Sequence, residues 1–376
     1  MGIVEIVWLA FAFMLGCAVG SFLNVVVGRL PLEKSLLWPN SRCLSCLHAL
    51  SSTDNLPIIG WLMRRGRCRH CGAKFSSRYL WVELAAGVGF AVLFYLDVLE
   101  NWHGLPFMQF ARQQINAQGL PPWQVLPFFM HHAVLFSLLL AVALCDWDHR
   151  SIPLTLTMTG TLIGLIFATC CPWPWPNSPA IVAHLNAPVE TVLGPRPRNW
   201  SFDVKPGELT LGLYPWPVWG PVPGWLDNHR WALGLVTGLT GAAIGMGLIR
   251  AVKFTFERGL GREALGLGDA DLMMMAGAFL GWQPVVVAFF VGALVSLPIG
   301  IAFRLVKKER AFPFGPGLAA GIMITMLCWR WIGPVAQMYL FEQILILVAV
   351  VVMAAGLFVG SIMVRFIGGG RQQQVA

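Results

Sequence analysis

Charge is what this sequence has least of. Asp, Glu, Lys and Arg make up 12% of its 376 residues, about half of what a globular surface needs. Apolar residues make up 57%, and mean hydropathy is +0.67. A soluble globular protein is therefore excluded, and so is a disordered chain, which needs low hydrophobicity. The sequence also lacks a collagen-like period, any other internal repeat, and the dense cysteines of a secreted disulfide scaffold. It has no basic residue ahead of its first apolar run, so that run reads as an uncleaved anchor rather than a removable signal. Ile6 stands where N-myristoylation requires Ser or Thr. What remains is a multi-pass membrane protein. The expected fold is an all-α bundle of about eight to nine membrane helices with a small cytosolic loop domain.

A spanning helix needs about 20 mostly apolar residues. Such runs are predicted at 1–27, 79–99, 127–145, 152–171, 231–251, 284–304, 314–332 and 339–364. A shorter run at 270–282 cannot cross a full bilayer at about 1.5 Å per residue. It has to sit where protein or water thins the barrier, which marks it as part of a site. Residues 28–78 carry nine Lys or Arg against Glu33 and Asp54. Arg150, the group Arg250, Lys253, Arg258 and Arg262, the group Lys307, Lys308 and Arg310, and Arg365 with Arg371 fall on the same side. The loops 100–126 and 172–230 are near neutral. The positive-inside rule places the basic side in the cytosol. The net charge of +8 thus belongs to topology and anionic lipid, and nucleic acid is not an expected partner.

On this reading the chain divides into six parts. They are a first membrane helix (1–27), a cytosolic module (28–78), and membrane helices with a first aspartate motif (79–171). A Pro/Trp-rich extracytoplasmic loop (172–230) follows, then membrane helices with a second aspartate motif (231–338) and an extra C-terminal helix and tail (339–376). The long loop holds 12 of the 25 prolines and the tryptophans Trp173, Trp175, Trp200, Trp216, Trp219 and Trp225. Proline denies it regular helix and tryptophan favours the headgroup layer, so it reads as a cap on the outer leaflet.

Four of the nine cysteines form one pattern, Cys43-x2-Cys46 and then Cys68-x2-Cys71. Each pair supplies two thiolates to one tetrahedral ion, and a reducing cytosol disfavours disulfides there. A four-cysteine site has no open position, so the zinc is expected to be structural. Cys17, Cys145, Cys170, Cys171 and Cys328 lie in or beside apolar spans and read as small buried hydrophobes.

Acids beside lipid are costly and so point to function. Asp146 and Asp148 lie in Leu144-Cys145-Asp146-Trp147-Asp148-His149-Arg150. Asp269 and Asp271 open the short run in Gly266-Leu267-Gly268-Asp269-Ala270-Asp271. Two facing carboxylates that share a proton suit aspartic-protease chemistry, while a helix cap or an ion pair with Arg150 or Arg262 is the structural alternative. From spacing alone both stay open.

Several motifs then coincide in order. They are Gly20-Ser21-Phe22-Leu23-Asn24 running to Pro31, the double CxxC, Arg78-Tyr79 with Val82-Glu83-Leu84, and Asp146 with Pro153 seven residues on. Gly266-Leu267-Gly268-Asp269, Gly277 to Trp282 and Pro313-Phe314-Gly315-Pro316 follow. Together they resemble the bacterial type IV prepilin peptidases. The resemblance implies Asp146 and Asp269 as the catalytic pair and Cys43, Cys46, Cys68 and Cys71 as the metal-binding set. It implies cleavage of prepilin or pseudopilin leaders, then N-methylation with S-adenosylmethionine, at the cytosolic face of the inner membrane beside pilus or type II secretion machinery. No glycine-rich cofactor loop of recognisable type is present, so no residue is assigned to the methyl donor. Glu83 reads equally as a receptor for a cationic amine or a partner of Arg78. Asp271 stands where the family usually has Lys, and Leu154 where it usually has an acid. The rival classes are a proton-coupled transporter, a presenilin-like protease sharing Gly-x-Gly-Asp, and an inactive assembly scaffold.

Overall fold

The computed structural model describes residues 1–171, 225, 229–261, 266–306, 313–340 and 343–372, except positions 37, 39, 44, 52, 106, 107, 109 and 124. Nearly all of the 172–230 loop lies outside the described residues, with Trp173, Trp175, Trp200, Trp216 and Trp219. Arg262, Lys307, Lys308 and Arg310 lie outside them as well. The chain forms two units, Met1–Leu156 and Thr157–Ala376.

All regular structure among the described residues is helical, apart from two isolated bridges, Arg42 with Ala49 and Arg67 with Lys74. The helices are α1 (Ile3–Arg29), α2 (Ile59–Arg64), α3 (Arg78–Phe94), α4 (Ala111–Gln118), α5 (Val125–His149) and α6 (Leu154–Cys170). After the long loop come α7 (Arg230–Leu260), α8 (Gly268–Leu280), α9 (Trp282–Val306), α10 (Gly315–Leu340) and α11 (Gln343–Gln372). Among the described residues each of the nine predicted apolar runs is helical, the run 339–364 lying mostly in α11. Six are long and apolar enough to cross a membrane among the described residues: Ile3–Leu32, Arg78–Leu99, Val125–His149, Trp231–Leu260, Trp282–Phe303 and Ile344–Met363. The count falls below the expected eight to nine for physical reasons. At about 1.5 Å per residue, the 17 residues of α6 and the 13 of α8 are shorter than a ~30 Å core. Helix α7 runs past the predicted end at 251 because hydrogen bonding continues beyond the apolar stretch. A Lys253–Glu257 pair at 3.7 Å and left-handed Gly261 then finish it.

In the first unit, α1 packs along α3 where glycine lets backbones meet. A methyl added at Gly16 would lie 2.5 Å from the Ala86 carbonyl oxygen, and one at Gly87 would lie 2.4 Å from Cys17 Sγ. Helix α5 closes this group with Phe129 edge-on to Phe90 and Phe94, at 6.2 and 5.4 Å between centroids. Glu5, the one acid of the first apolar run, is buried. It accepts hydrogen bonds from Arg112 Nε at 2.8 Å and Asn116 Nδ2 at 2.9 Å, both on α4. A carboxylate in an apolar span is tolerated through that pairing.

In the second unit, α8 is the core. Ala270, Leu272, Met273 and every residue from Met275 to Leu280 are buried, the pattern of a helix covered on all sides. Helices α7 and α8 touch backbone to backbone. A methyl at Gly277 would fall 2.0 Å from the Gly241 carbonyl oxygen, and one at Gly245 would fall 2.2 Å from that of Met273. Gly292 and Gly321 do the same for α9 and α10. The extra helix α11 packs on α7, and Ile344, Leu347 and Val352 on it are exposed, as lipid contact requires.

Candidate functional site

The double CxxC module folds as two copies of one turn. Cys43 N–H donates to the His48 carbonyl and Leu47 N–H to that of Cys43, both at 2.9 Å. Cys68 N–H donates to the Ala73 carbonyl at 2.8 Å and Gly72 N–H to that of Cys68 at 3.1 Å. The fifth residue of each turn, Leu47 or Gly72, is left-handed at φ 57° or 69°. Glycine is cheap there and leucine is not. The turns bring the four sulfurs within 4.8 Å of one another, with Cys43–Cys71 at 3.8 Å and Cys46–Cys68 at 3.9 Å. A tetrahedral ion with metal–sulfur bonds of about 2.3 Å needs sulfurs about 3.8 Å apart, so the donor set fits a metal ion. The backbone N–H groups of Cys46 and Ser45 lower the Cys43 thiol to about 6, which favours the thiolate a metal needs. His48 and His70 stack beside the cluster at 3.5 Å between ring centroids.

Beside this module a cleft of ≈ 510 Å³ opens between the end of α1, the cysteine turns and the start of α3. Ser21, Asn24, Arg29, Asp54, Arg64 and Glu83 line it among others. Asn24 Nδ2 donates to the Tyr79 carbonyl oxygen at 3.1 Å, tying the opening motif to the next one. Asp54 pairs with Arg64, and the Ser51 hydroxyl, against the cost of burial, holds its carboxyl below the usual range. Glu83 is buried and its Oε2 accepts the Ile58 N–H at 2.7 Å. Ile58 itself is held at φ 60°, a strained value for a β-branched residue.

The aspartate motifs fall in different units. In the first, Asp146 is buried one turn before the end of α5, and its carbonyl accepts the N–H of left-handed Arg150 at 3.0 Å. Asp148, two residues on, is taken by Arg78 at the start of α3. Arg78, weighed in the sequence as a partner of Glu83, pairs with Asp148 instead, and Glu83 accepts the Ile58 amide. In the second unit, Asp269 and Asp271 occupy the first turn of α8, half-buried, where acids complement the helix dipole. The structure thus gathers the four cysteines into one cluster and separates Asp146 from Asp148 by their surroundings.

Sequence reasoning passed over a second cluster of ligand-type side chains. At the far end of α3 the chain makes a π turn, Tyr95–Leu99, and buries Asp97 completely. His132 Nδ1 lies 2.8 Å from one of its oxygens and His103 Nε2 lies 3.3 Å from the other. The available signals were an acid inside the apolar run 79–99 and two histidines inside the run 127–145, features that lipid penalises.

Two family descriptions match the chain. Residues 14–96 match the bacterial peptidase A24 N-terminal domain, and residues 203–301 match the type IV leader peptidase family. Among curated relatives, a prepilin leader peptidase/N-methyltransferase of Myxococcus xanthus is 30% identical, over 81% of this chain and 65% of that protein. Proteins of that name from Stutzerimonas stutzeri and Pectobacterium carotovorum are each 28% identical, over 84% and 85% of this chain and 89% and 93% of their own lengths. No solved structure matches.

Proposed function

We propose that this chain is a member of the type IV leader peptidase family and a multi-pass inner-membrane aspartic endopeptidase. Its substrates are type IV prepilins or type II secretion pseudopilins, cut after a glycine at the cytosolic face. It then methylates the new N-terminal residue with S-adenosylmethionine as methyl donor. The family match carries this reading. It covers the cysteine module and the Gly-x-Gly-Asp helix, and the Asp146 motif lies between them in chain order.

Asp146 and Asp269 are the two carboxylates of the reaction. Two carboxylates acting on one peptide bond share one proton because both cannot ionise cheaply. The ionised one takes a proton from water, whose oxygen attacks the peptide carbonyl carbon. The protonated one donates a hydrogen bond to the carbonyl oxygen as its charge develops. Collapse of the tetrahedral intermediate breaks the C–N bond, and a carboxyl proton goes to the leaving amine. The Arg78 pairing of Asp148 supports giving these roles to Asp146 rather than to its neighbour. Cys43, Cys46, Cys68 and Cys71 would hold a structural zinc, which would supply no chemistry to the cut but would fix the loop that walls the cleft. S-adenosylmethionine, when bound, would supply an electrophilic methyl group for the new N-terminal amine, with its thioether as the leaving group. The cleft beside the zinc module supports this second activity, since Glu83 and Arg29 line it, while Asp54 and Arg64 there neutralise each other.

Mass spectrometry of a pseudopilin from the same cell, co-expressed with this protein or with its Asp269→Asn variant, tests the proposal. The expected product is shortened by its leader, carries one added methyl, and is absent with the variant. A shortened, unmethylated product would remove the transferase half. An uncut leader with the unaltered protein would overturn the proposal.

A further inference from the structure

We propose that Asp97, His103 and His132 form a second metal site, distinct from the cysteine cluster, for a divalent transition ion of the zinc class. Three separate elements deliver the ligands: Asp97 from the π turn, His103 from the loop after it, and His132 from α5. One ligand atom from each lies within 4.8 Å of the other two. Metal–nitrogen and metal–oxygen bonds of about 2.0–2.1 Å place tetrahedral neighbours about 3.3 Å apart. The 3.3 Å from one Asp97 oxygen to His103 is near that value, and the 2.8 Å from the other to His132 Nδ1 is a hydrogen bond that an entering ion would replace.

The local backbone is built around this convergence. A π turn adds a residue to the helix and re-aims the side chains it carries, and such turns gather at functional sites. The loop bearing His103 is clamped at both ends. Asn101 Nδ2 donates to the Leu105 carbonyl and its Oδ1 accepts the Leu105 N–H, each at 2.8 Å. Trp102 N–H donates to the Leu96 carbonyl at 2.8 Å. Asn101 and Gly104 are both left-handed, at φ 45° and 66°. One histidine is enough to satisfy a buried carboxylate. Bringing a second on a clamped loop is what ligation requires. The Phe128 ring, 4.4 Å from that of His132 and 5.4 Å from that of His103, walls the cluster with apolar surface. His103 keeps 7% of its side-chain surface exposed, which gives an ion its way in.

Two neutral imidazoles and one carboxylate leave a fourth position for water. A zinc-class ion lowers the pKa of that water to about 7, so its loss of a proton makes the buried centre electrically neutral. The ion would clamp the end of α3 and its loop to α5, and it requires no redox partner.

The test uses the full-length protein in detergent, loaded with Zn²⁺ for metal counting and with Co²⁺ for spectroscopy. The expected content is two zinc ions per chain, falling to one in His103→Gln and in Asp97→Asn. In both variants the thiolate-to-cobalt charge-transfer band persists, which shows that the cysteine site is intact and the chain folded. The double variant Cys43→Ser/Cys46→Ser should lose that band yet keep one ion with nitrogen and oxygen ligands. One zinc per chain in the unaltered protein would overturn the proposal. So would a content of two that His103→Gln leaves unchanged. Either result makes the cluster a buried carboxylate neutralised by imidazoles.

Discussion

The two units each carry one motif aspartate, and they hold it by different physics. The first relies on polar ties between residues far apart in sequence: Arg78 to Asp148, Glu83 to the Ile58 amide, Asn24 to the Tyr79 carbonyl. The second places Asp269 on a short buried helix seated by glycine, with the α7 and α8 backbones in contact at Gly241 and Gly277. Position in the first unit should therefore respond to removal of charge or hydrogen bonding. Position in the second should respond to added volume. Both follow from what each site does in the membrane: one unit carries a polar module that meets water, the other an apolar core.

The largest expected effect is the one the units have in common. Asp146→Asn and Asp269→Asn should each lower leader cleavage by about 10²–10⁴-fold, the usual contribution of a general acid or base. Expression and thermal stability should stay near those of the unaltered protein, because an amide fills the same space. A cleavage assay on purified substrate checks this. If one variant keeps substantial activity, the two-carboxylate assignment fails and the symmetry between the units goes with it.

Next comes Cys43→Ser in the first unit. Metal content at the cysteine cluster and stability should drop first, with a partial loss of activity following, since the ion there shapes a wall rather than reacts. Unchanged metal content in that variant would sink the zinc reading. The counterpart in the second unit is Gly277→Val, which drives a side chain into the Gly241 backbone. Overpacking of this kind costs roughly 1–3 kcal/mol, more where backbone must separate. Gly247→Val on the same α7 meets nothing within 4 Å and serves as the control. Tryptophan fluorescence through thermal unfolding should show a lowered midpoint for Gly277→Val alone. Equal midpoints would mean the glycine contacts do not seat α8.

How much of this was legible in the sequence follows the same division. The cysteine cluster could be read directly because two CxxC turns carry their geometry in local spacing. The short helix was legible as a run of about 13 residues, and the structure starts it at Gly268 rather than Ala270 because the glycine and Asp269 complete its first turn. The polar ties were not legible. Nothing in local spacing says that Arg78 meets Asp148 and Glu83 meets Ile58, since those pairs form only when α3 packs against α5 and the loop before α2. Asp97 was hidden by the apolar run around it, and the histidines that meet it are six and 35 residues away. The glycine stripes of α7 lay in plain view, but which neighbour they admit is a tertiary fact. Asp146 and Asp269 were identified by motif order, a resemblance rather than a derivation from charge or spacing.

The smallest expected effect tests the sharpest distinction. Arg78 and Asp148 are partly exposed, with 42% and 22% of their side-chain surfaces open, so their ion pair is screened. Such pairs contribute about 0.2–1 kcal/mol in double-mutant cycles. Arg78→Ala and Asp148→Asn should each destabilise slightly, and the double variant should cost less than the sum of the two. Activity should change by no more than a few-fold in any of the three, since the pair holds α3 to α5 without entering the reaction. A coupling near zero would mean the first unit does not depend on this tie. If Asp148→Asn is as inactive as Asp146→Asn, the choice between the two acids is wrong, and the residue that Arg78 holds becomes the reacting one.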